Sequence, residues 1–418
     1  MRDQEPVPSR SERRLSTKET AELLGVKPET VYAYVSRGQL SSLRVPGSRS
    51  STFDAKEVEA LGRRNRRAGG GSSGSGGELS VRTRITLIDT DRYFYRGVDA
   101  TELAARHSYE EVAEWLWTGR MRHGTAFTAP EASVAVARRA VAALPEHTDP
   151  TDRLRVAAIA AATADPLRFD LSEEAVLGTA RILIPTLVAA LPPMRPDHRD
   201  EGPLAHRLWT RLSGQQAEEA SLRVLDTALG LLADHDLAAS TLAVRVAASA
   251  RAHAYAAISA GLGVIEGPLH GAASGLAHRL LLDVLDQGDA GPVIADELRS
   301  GRRIPGLGHR LYAGEDPRAR ALFALLDEIP RAAPALAAAR DIVATTARHT
   351  PLHANVDLAL AVFTASSGMP STAGETIFAV ARTAGWIAHA LEEYGERPLR
   401  MRPSGLYEGP RPPQPLPE

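Results

Sequence analysis

Residues 215–260 read QQAEEASLRVLDTALGLLADHDLAASTLAVRVAASARAHAYAAISA. Alanine and leucine dominate, and the apolar positions fall at helical spacing. Alanine enters a helix without losing rotamer freedom, so this composition favours helix. The same character recurs at 131–144, 173–191, 334–347 and 376–394, with Pro- and Gly-rich breaks between the stretches. Strand-type alternation is nearly absent apart from residues 81–88. Downstream of residue 78 the expectation is an all-α globule, without repeats of solenoid length.

Upstream the character changes. Residues 69–77 contain only glycine and serine, preceded by Arg63-Arg64-Asn65-Arg66-Arg67. Such a segment buries almost nothing, and its nine residues span roughly 15–18 Å as random coil. Residues 62–78 therefore read as a linker. Before it, Ser16-Thr17-Lys18-Glu19 is a capping-box pattern opening a helix that Gly25 stops. Pro28 suits the first turn of a second helix, which Gly38 ends. Residues 40–45 and 50–53, joined at Pro46-Gly47, read as a hairpin, and a last short helix holds Val58 and Leu61. Residues 1–78 carry fourteen Lys/Arg against ten Asp/Glu, within a chain of formal net charge −2. A basic head on an acidic body allows one small nucleic-acid-binding module.

With 418 residues the chain is long enough for two or three domains. It has no cysteine, which excludes disulfides, thiolate catalysis, iron–sulfur clusters and Cys-based zinc sites. The N-terminus has no apolar secretory region, and no run reaches eighteen apolar residues. A cytoplasmic location without membrane contact is expected by elimination.

Three short segments carry chemistry: Gly267-Pro268-Leu269-His270-Gly271, Pro305-Gly306-Leu307-Gly308-His309 and Asn355-Val356-Asp357. A carboxylate base and two imidazole donors are what carbon–carbon bond formation from an acyl thioester requires, because the enolate oxygen needs donors in place before the proton moves. Asp357 is the candidate base, His270 the donor to the thioester oxygen, and His309 the donor to a second carbonyl. Each residue alone has a plainer reading, the histidines as structural or surface groups and Asp357 as a helix cap or ion pair. His349, His353 and Asp357 fall at i, i+4 and i+8, but Pro351 interrupts them and no HExxH motif occurs, so no metal is expected. No Walker A sequence occurs, and Gly261-Leu262-Gly263 near Gly267 is not a GxGxxG.

These segments, in order, resemble the signatures of the citrate synthase family. The resemblance extends over about residues 81–409. It includes Tyr95-Arg96-Gly97, residues 108–113, Asp234-His235 with Ser240-Thr241, residues 305–312 with Asp316-Pro317-Arg318, residues 385–389, and Arg402-Pro403 with Tyr407 and Gly409. It implies a mainly α, two-domain body: a large domain over 79–275, a smaller one over 276–375 and a return over 376–418. Asp357 would be the base, His270 the enol stabiliser and His309 the acid partner, while His235, Arg318 and Arg402 would grip oxaloacetate. Leu307, Gly308 and Arg310 would border coenzyme A, whose thioester is a substrate, with no tightly bound cofactor and a homodimer as the assembly. Residues 1–61 resemble the winged helix-turn-helix modules of the MerR and excisionase type, on Thr17, Glu19, Ala21, Leu24-Gly25-Val26, Thr30-Val31-Tyr32 and Tyr34-Val35. A DNA-binding head would place Thr30, Tyr32 and Tyr34 at a groove, with Arg37, Arg44 and Arg49 on phosphates. The plainer alternative is a module for protein contacts.

Departures from the family pattern temper these expectations. Ala238 stands where Asn is usual, Ser274-Gly275 replaces the usual Asn-Glu, and Ala313 replaces a frequent basic contact to coenzyme A. The tail, as given, stops before an arginine that many members extend to the partner subunit's substrate. Three activities stay open: condensation of acetyl-CoA with oxaloacetate to citrate, use of propionyl-CoA to give 2-methylcitrate, and a transcription regulator whose body senses metabolites.

Overall fold

A computed structural model describes residues 14–24, 26, 30, 31, 34, 35, 40–44, 51–55, 57, 58 and 61, and 81–418 apart from 197–200, 268, 269, 272, 313, 404–406, 415, 417 and 418. The chain divides into two compact units, Met1–Arg82 and Thr83–Glu418. The expected linker over 62–78 lies outside the described residues, as do Tyr32, Arg37, Arg49, Ala313, the breaks at Gly25, Pro28 and Gly38, and the Pro46-Gly47 turn.

In the first unit, β1 (Arg14–Ser16), α1 (Thr17–Leu24), β2 (Ser42–Arg44) and β3 (Ser51–Asp54) form a helix and an antiparallel sheet of order β1-β3-β2. The capping box closes as its spacing predicts. The Ser16 N–H donates to Glu19 Oε2 at 2.8 Å and the Glu19 N–H to Ser16 Oγ at 3.3 Å. β1 was not expected, since three residues are too few to show alternation. It brings Leu15 onto Phe53, and both join a core with Ala21, Val31, Leu40, Val58 and Leu61. Arg44 lies on β2, and Thr30 is half-buried in a helical segment. Tyr34 is partly buried and packs against that core.

The second unit opens with an antiparallel sheet, β4 (Thr86–Asp89), β5 (Arg92–Tyr95) and β6 (Val98–Asp99), of which the sequence signalled only the first. Fifteen α-helices follow among its described residues: α2 (Ala100–Arg106), α3 (Tyr109–Thr118), α4 (Glu131–Ala142), α5 (Pro150–Thr163), α6 (Glu173–Ala190), α7 (Leu204–Leu212), α8 (Glu219–Leu232), α9 (Ala239–Ser249), α10 (Ala254–Ile265), α11 (Ala273–Gln287), α12 (Ala290–Arg299), α13 (Pro317–Leu326), α14 (Ala333–Ala347), α15 (Val356–Ser366) and α16 (Ala373–Tyr394). Local chemistry sets many of their starts. Asp99, Ser172, Asp289, Asp316 and Asn355 accept first-turn N–H groups, and Ser108 with Glu111 forms a capping box.

The stretch 215–260 is not one helix but parts of three, α8, α9 and α10. Breaks fall at Asp236 and Arg251, which take left-handed φ of 57° and 63°. At the first break the orphan carbonyls of the α8 terminus are met by side chains from elsewhere. Tyr93 Oη donates to Leu231 O (3.0 Å), Tyr95 Oη donates among Gly230 O, Leu231 O and Asp234 O, and Arg382 Nε donates to Leu232 O (2.9 Å). The Gly385 N–H donates to Ala233 O at 2.9 Å. His235 thus sits on a loop held by the β4–β5 hairpin and by α16.

α16 is the central helix, packed against α3, α6, α8, α9 and α10. Its small residues let the α8 terminus approach. A Cβ on Gly385 would collide with Ala233 O and lie 2.5 Å from Asp234 Oδ1, both in the loop that carries His235. Gly385→Ala is expected to destabilise the fold by about 1–3 kcal/mol or more through overpacking, read as a lower denaturant midpoint. An unchanged midpoint would show that the loop yields freely.

Candidate active site

Three separate segments meet around His309. Gly306 and Gly308, at φ 79° and 76°, turn the chain back before the histidine, and a Cβ on Gly306 would lie 2.9 Å from Leu358 Cβ. The turn is stitched to the start of α15: the Asn355 N–H donates to Gly306 O (2.9 Å), Asn355 Nδ2 to Gly308 O (2.9 Å), and the Gly308 N–H to His353 O (2.8 Å). Asn355 Oδ1 also caps α15 by accepting the Asp357 N–H at 2.9 Å. Asp316 completes the knot. It accepts the Arg318 N–H (3.0 Å), takes the Arg318 guanidinium on both oxygens (3.0 and 2.8 Å), and accepts the Val356 N–H (3.1 Å). Asp316 and Arg318 are almost fully buried, a placement tolerable because each charge meets the other.

His235 and Tyr312 extend the cluster. The imidazoles of His235 and His309 meet edge to face at 5.3 Å, Tyr312 lies 4.8 Å from His309, and Tyr312 Oη bonds His235 Nε2 at 2.8 Å. The Leu311 N–H donates to His309 Nδ1 at 3.0 Å, which leaves the ring proton on Nε2. Arg318 Nη2 is 3.2 Å from that same Nε2. A neutral ring cannot accept at both nitrogens, so the fixed backbone donor assigns the tautomer and the arginine contact is only an approach. Burial and the Arg318 charge pull His309 down to about 4, and burial with Arg318 and Arg382 holds His235 well below the usual histidine range. His270, bonded through Nε2 to Ser240 Oγ at 2.7 Å, is pulled to about 4 by burial and then by Arg382. All three rings are neutral at pH 7. Asp357 is pushed up to about 6, because burial and neighbouring Asp316 outweigh the attraction of Arg318.

Arg382 was not singled out from the sequence. It is 1% exposed, donates one hydrogen bond through Nε, and forms no ion pair with the described residues. Its guanidinium lies 4.5 Å from the Phe378 ring, which in turn meets the His270 ring at 5.8 Å. Glu375, Phe378 and Arg382 thus form an i, i+3, i+7 stripe of α16 along the cluster. The i±4 neighbours of Arg382 are Phe378 and Trp386, so no carboxylate lies one turn away on its helix. Tyr312 and Asp316 stood within quoted motifs without a role.

His235 and Arg318 lie in the cluster, whereas Arg402 is exposed and its side chain bonds none of the described residues. Leu307 and Gly308 serve the stitched turn, Leu307 through a bridge to Ala354, and Arg310 is exposed. Ala238 leaves α9 without a side-chain cap. At Ser274-Gly275 a carboxylate arrives from α16 instead, since a Cβ on Gly275 would lie 2.8 Å from Glu375 Oε1. Burial pushes Glu375 up to about 6. His349, His353 and Asp357 share no helix, because α14 ends at Ala347 and α15 begins at Val356.

Comparison with known proteins agrees with this architecture. A family model described as citrate synthase, C-terminal domain, matches residues 74–404, and one described as helix-turn-helix domain matches residues 14–66. The citrate synthase of Haloferax volcanii is 32% identical over 361 residues, covering 80% of this chain and 94% of that one. A 2-methylcitrate synthase of Mycobacterium tuberculosis is 27% identical over 356 residues, covering 80% and 90%. The crystal structure of citrate synthase from Pyrobaculum aerophilum superposes with a TM-score of 0.69 at 26% identity, covering 90% of this chain and 97% of that one. Fold and relatives together define a condensing acyltransferase. The chain belongs to the citrate synthase family and carries a helix-turn-helix domain in front of it. Among the described residues no helix is long and apolar enough to cross a membrane.

Proposed function

We propose that the body condenses a short acyl-CoA with oxaloacetate, with acetyl-CoA as the acyl donor and citrate and CoA as products. The observation that carries this reading is the convergence of a carboxylate near pKa 6 with neutral imidazoles and two buried arginines. Asp357 removes a proton from the thioester α-carbon while a ring N–H of His270 stabilises the enolate oxygen; the Ser240 hydroxyl orients that ring. The new carbon–carbon bond forms at the oxaloacetate carbonyl, which the His309 Nε2–H polarises. Neutral imidazole suits this work because it donates without adding a charge to a dry site. Arg318 and Arg382 hold the carboxylates through paired, charge-assisted bonds, and hydrolysis of the citryl thioester releases CoA.

The expected smaller domain over 276–375 comprises most of α11 and all of α12 to α15, so its movement against the rest would carry Asp357, His309 and Arg318 together toward His270 and Arg382. Such closure would expel water around the nascent enol. A homodimer is the proposed assembly, and within it the exposed Arg402 is available to a second chain.

Propionyl-CoA is a close competitor, as a 2-methylcitrate synthase is among the relatives and one methylene discriminates by only about 1–3 kcal/mol. The head, with its closed capping box and its match to a helix-turn-helix model, supports a DNA-binding role beside catalysis. CoA release from full-length protein with oxaloacetate and either thioester tests the chemistry. No turnover above an Asp357→Ala control with either one overturns it, and the ratio of the two rates names the donor. The DNA role is lost if selected fragments bind no better than random sequence, with or without substrates.

A further inference from the structure

Outside the condensing cluster, three side chains converge on one point of the surface. His107 ends α2, Glu111 lies in the first turn of α3, and His123 follows the left-handed turn at Gly119 that stops α3. His107 Nδ1 is 3.3 Å from Glu111 Oε2, His123 Nδ1 is 3.8 Å from Glu111 Oε1, and the three ligand atoms lie within 4.8 Å of one another. Both rings aim the same nitrogen at one carboxylate, with centroids 5.5 Å apart and planes 34° from parallel. Two protonated imidazoles so placed would repel each other. A single divalent cation in their place would satisfy both nitrogens and the carboxylate.

The support around the carboxylate is already built. Glu111 Oε1 accepts the Gly124 N–H at 2.7 Å and Oε2 the Ser108 N–H at 3.3 Å, so its orientation is set from behind. Such backing is what orients metal ligands in known sites. Tetrahedral zinc at bonds of about 2.0–2.1 Å has ligand–ligand separations of about 3.3–3.5 Å. One edge already matches, and the side chain that must move, His123, is 75% exposed and free to swing inward. His107 and Glu111, at 21% and 13%, are the fixed pair.

We propose that His107, Glu111 and His123 form a divalent-cation site of zinc type, joining the end of α2 to both ends of α3. Two imidazoles and a carboxylate with no thiolate favour a borderline first-row ion over calcium or magnesium, and leave the fourth position to water. The sequence reading expected no metal, having weighed only His349, His353 and Asp357. His123 lies too far along the chain from the His107–Glu111 pair for a helical spacing rule to find it.

The test is competition for Zn²⁺ between full-length protein and a chromogenic chelator, with His123→Ala and Glu111→Gln beside the parent. Glutamine keeps the capping geometry of α3 while losing the charge, and His123 is exposed enough that its removal leaves the fold intact. The parent is expected to bind zinc in the micromolar range, with each variant weakened by at least about tenfold. The site is refuted if the parent binds no zinc in that range. It is equally refuted if His123→Ala competes as well as the parent.

Discussion

Asp357→Asn is expected to lower thioester-dependent CoA release by about 10²–10⁴-fold, the usual contribution of a positioned general base. Asparagine fits the same space and no side-chain hydrogen bond of Asp357 is lost, so the effect should fall on turnover rather than on folding. The pH dependence follows from the same carboxyl. Since the base must be ionised and sits at about 6, the rate should fall as pH drops through that value. Stability should move the opposite way. The folded carboxyl binds its proton more tightly than the unfolded one, whose ordinary value is 3.8. Native protein therefore holds more protons between about pH 4 and 6, and stability declines as pH rises through that window. The penalty above pH 6 is on the order of 3 kcal/mol. Asp357→Asn removes it, so the variant should melt higher than the parent at pH 7.5, with the gap closing toward pH 4. A variant that is inactive and less stable at neutral pH would assign Asp357 a structural role instead.

Arg382→Met should raise the KM for oxaloacetate by about 30-fold or more, the cost of removing one partner of a desolvated charge contact being about 2–5 kcal/mol. Arg382 is buried and forms no ion pair among the described residues. A guanidinium held away from water with one backbone acceptor is poorly compensated until an anion arrives. Substitution removes that desolvation cost while losing the bond to Leu232 O, so the unliganded fold should change by only about 1–2 kcal/mol. The KM for the thioester should change far less. Equal loss for both substrates, or unfolding, would mean that Arg382 serves the His235 loop and not the ligand.

The contrast between Arg318 and Arg382 shows what was legible. Arg318 follows Asp316-Pro317, a helix-start pattern whose cap, turn and ion pair all lie within three residues. His309 was equally visible, since Gly306 and Gly308 are required by positive φ at a turn. Asn355 announced the α15 cap and with it the place of Asp357. Arg382 carries no such local mark, because its role depends on Leu232, Phe378 and His270 standing around it. Arg402 shows the converse: a motif position that is conspicuous in sequence stays exposed in the single chain. In the head, the capping box was plain while β1 was not, because a three-residue strand exists only through its pairing with β3.

By itself the sequence determined the helical class of the body, the division between head and body, and the histidines and aspartate of the candidate site. These are recorded in composition, in caps and in glycine turns, each acting over a few residues. Tertiary structure alone decided that the long alanine-rich stretch breaks to seat His235. It also decided that the imidazoles are neutral, that Asp357 titrates near 6, and that Arg382 stands beside them. Burial and charge compensation are properties of what surrounds a residue, and those surroundings come from segments distant in the chain, Arg382 and Leu232 being 150 residues apart.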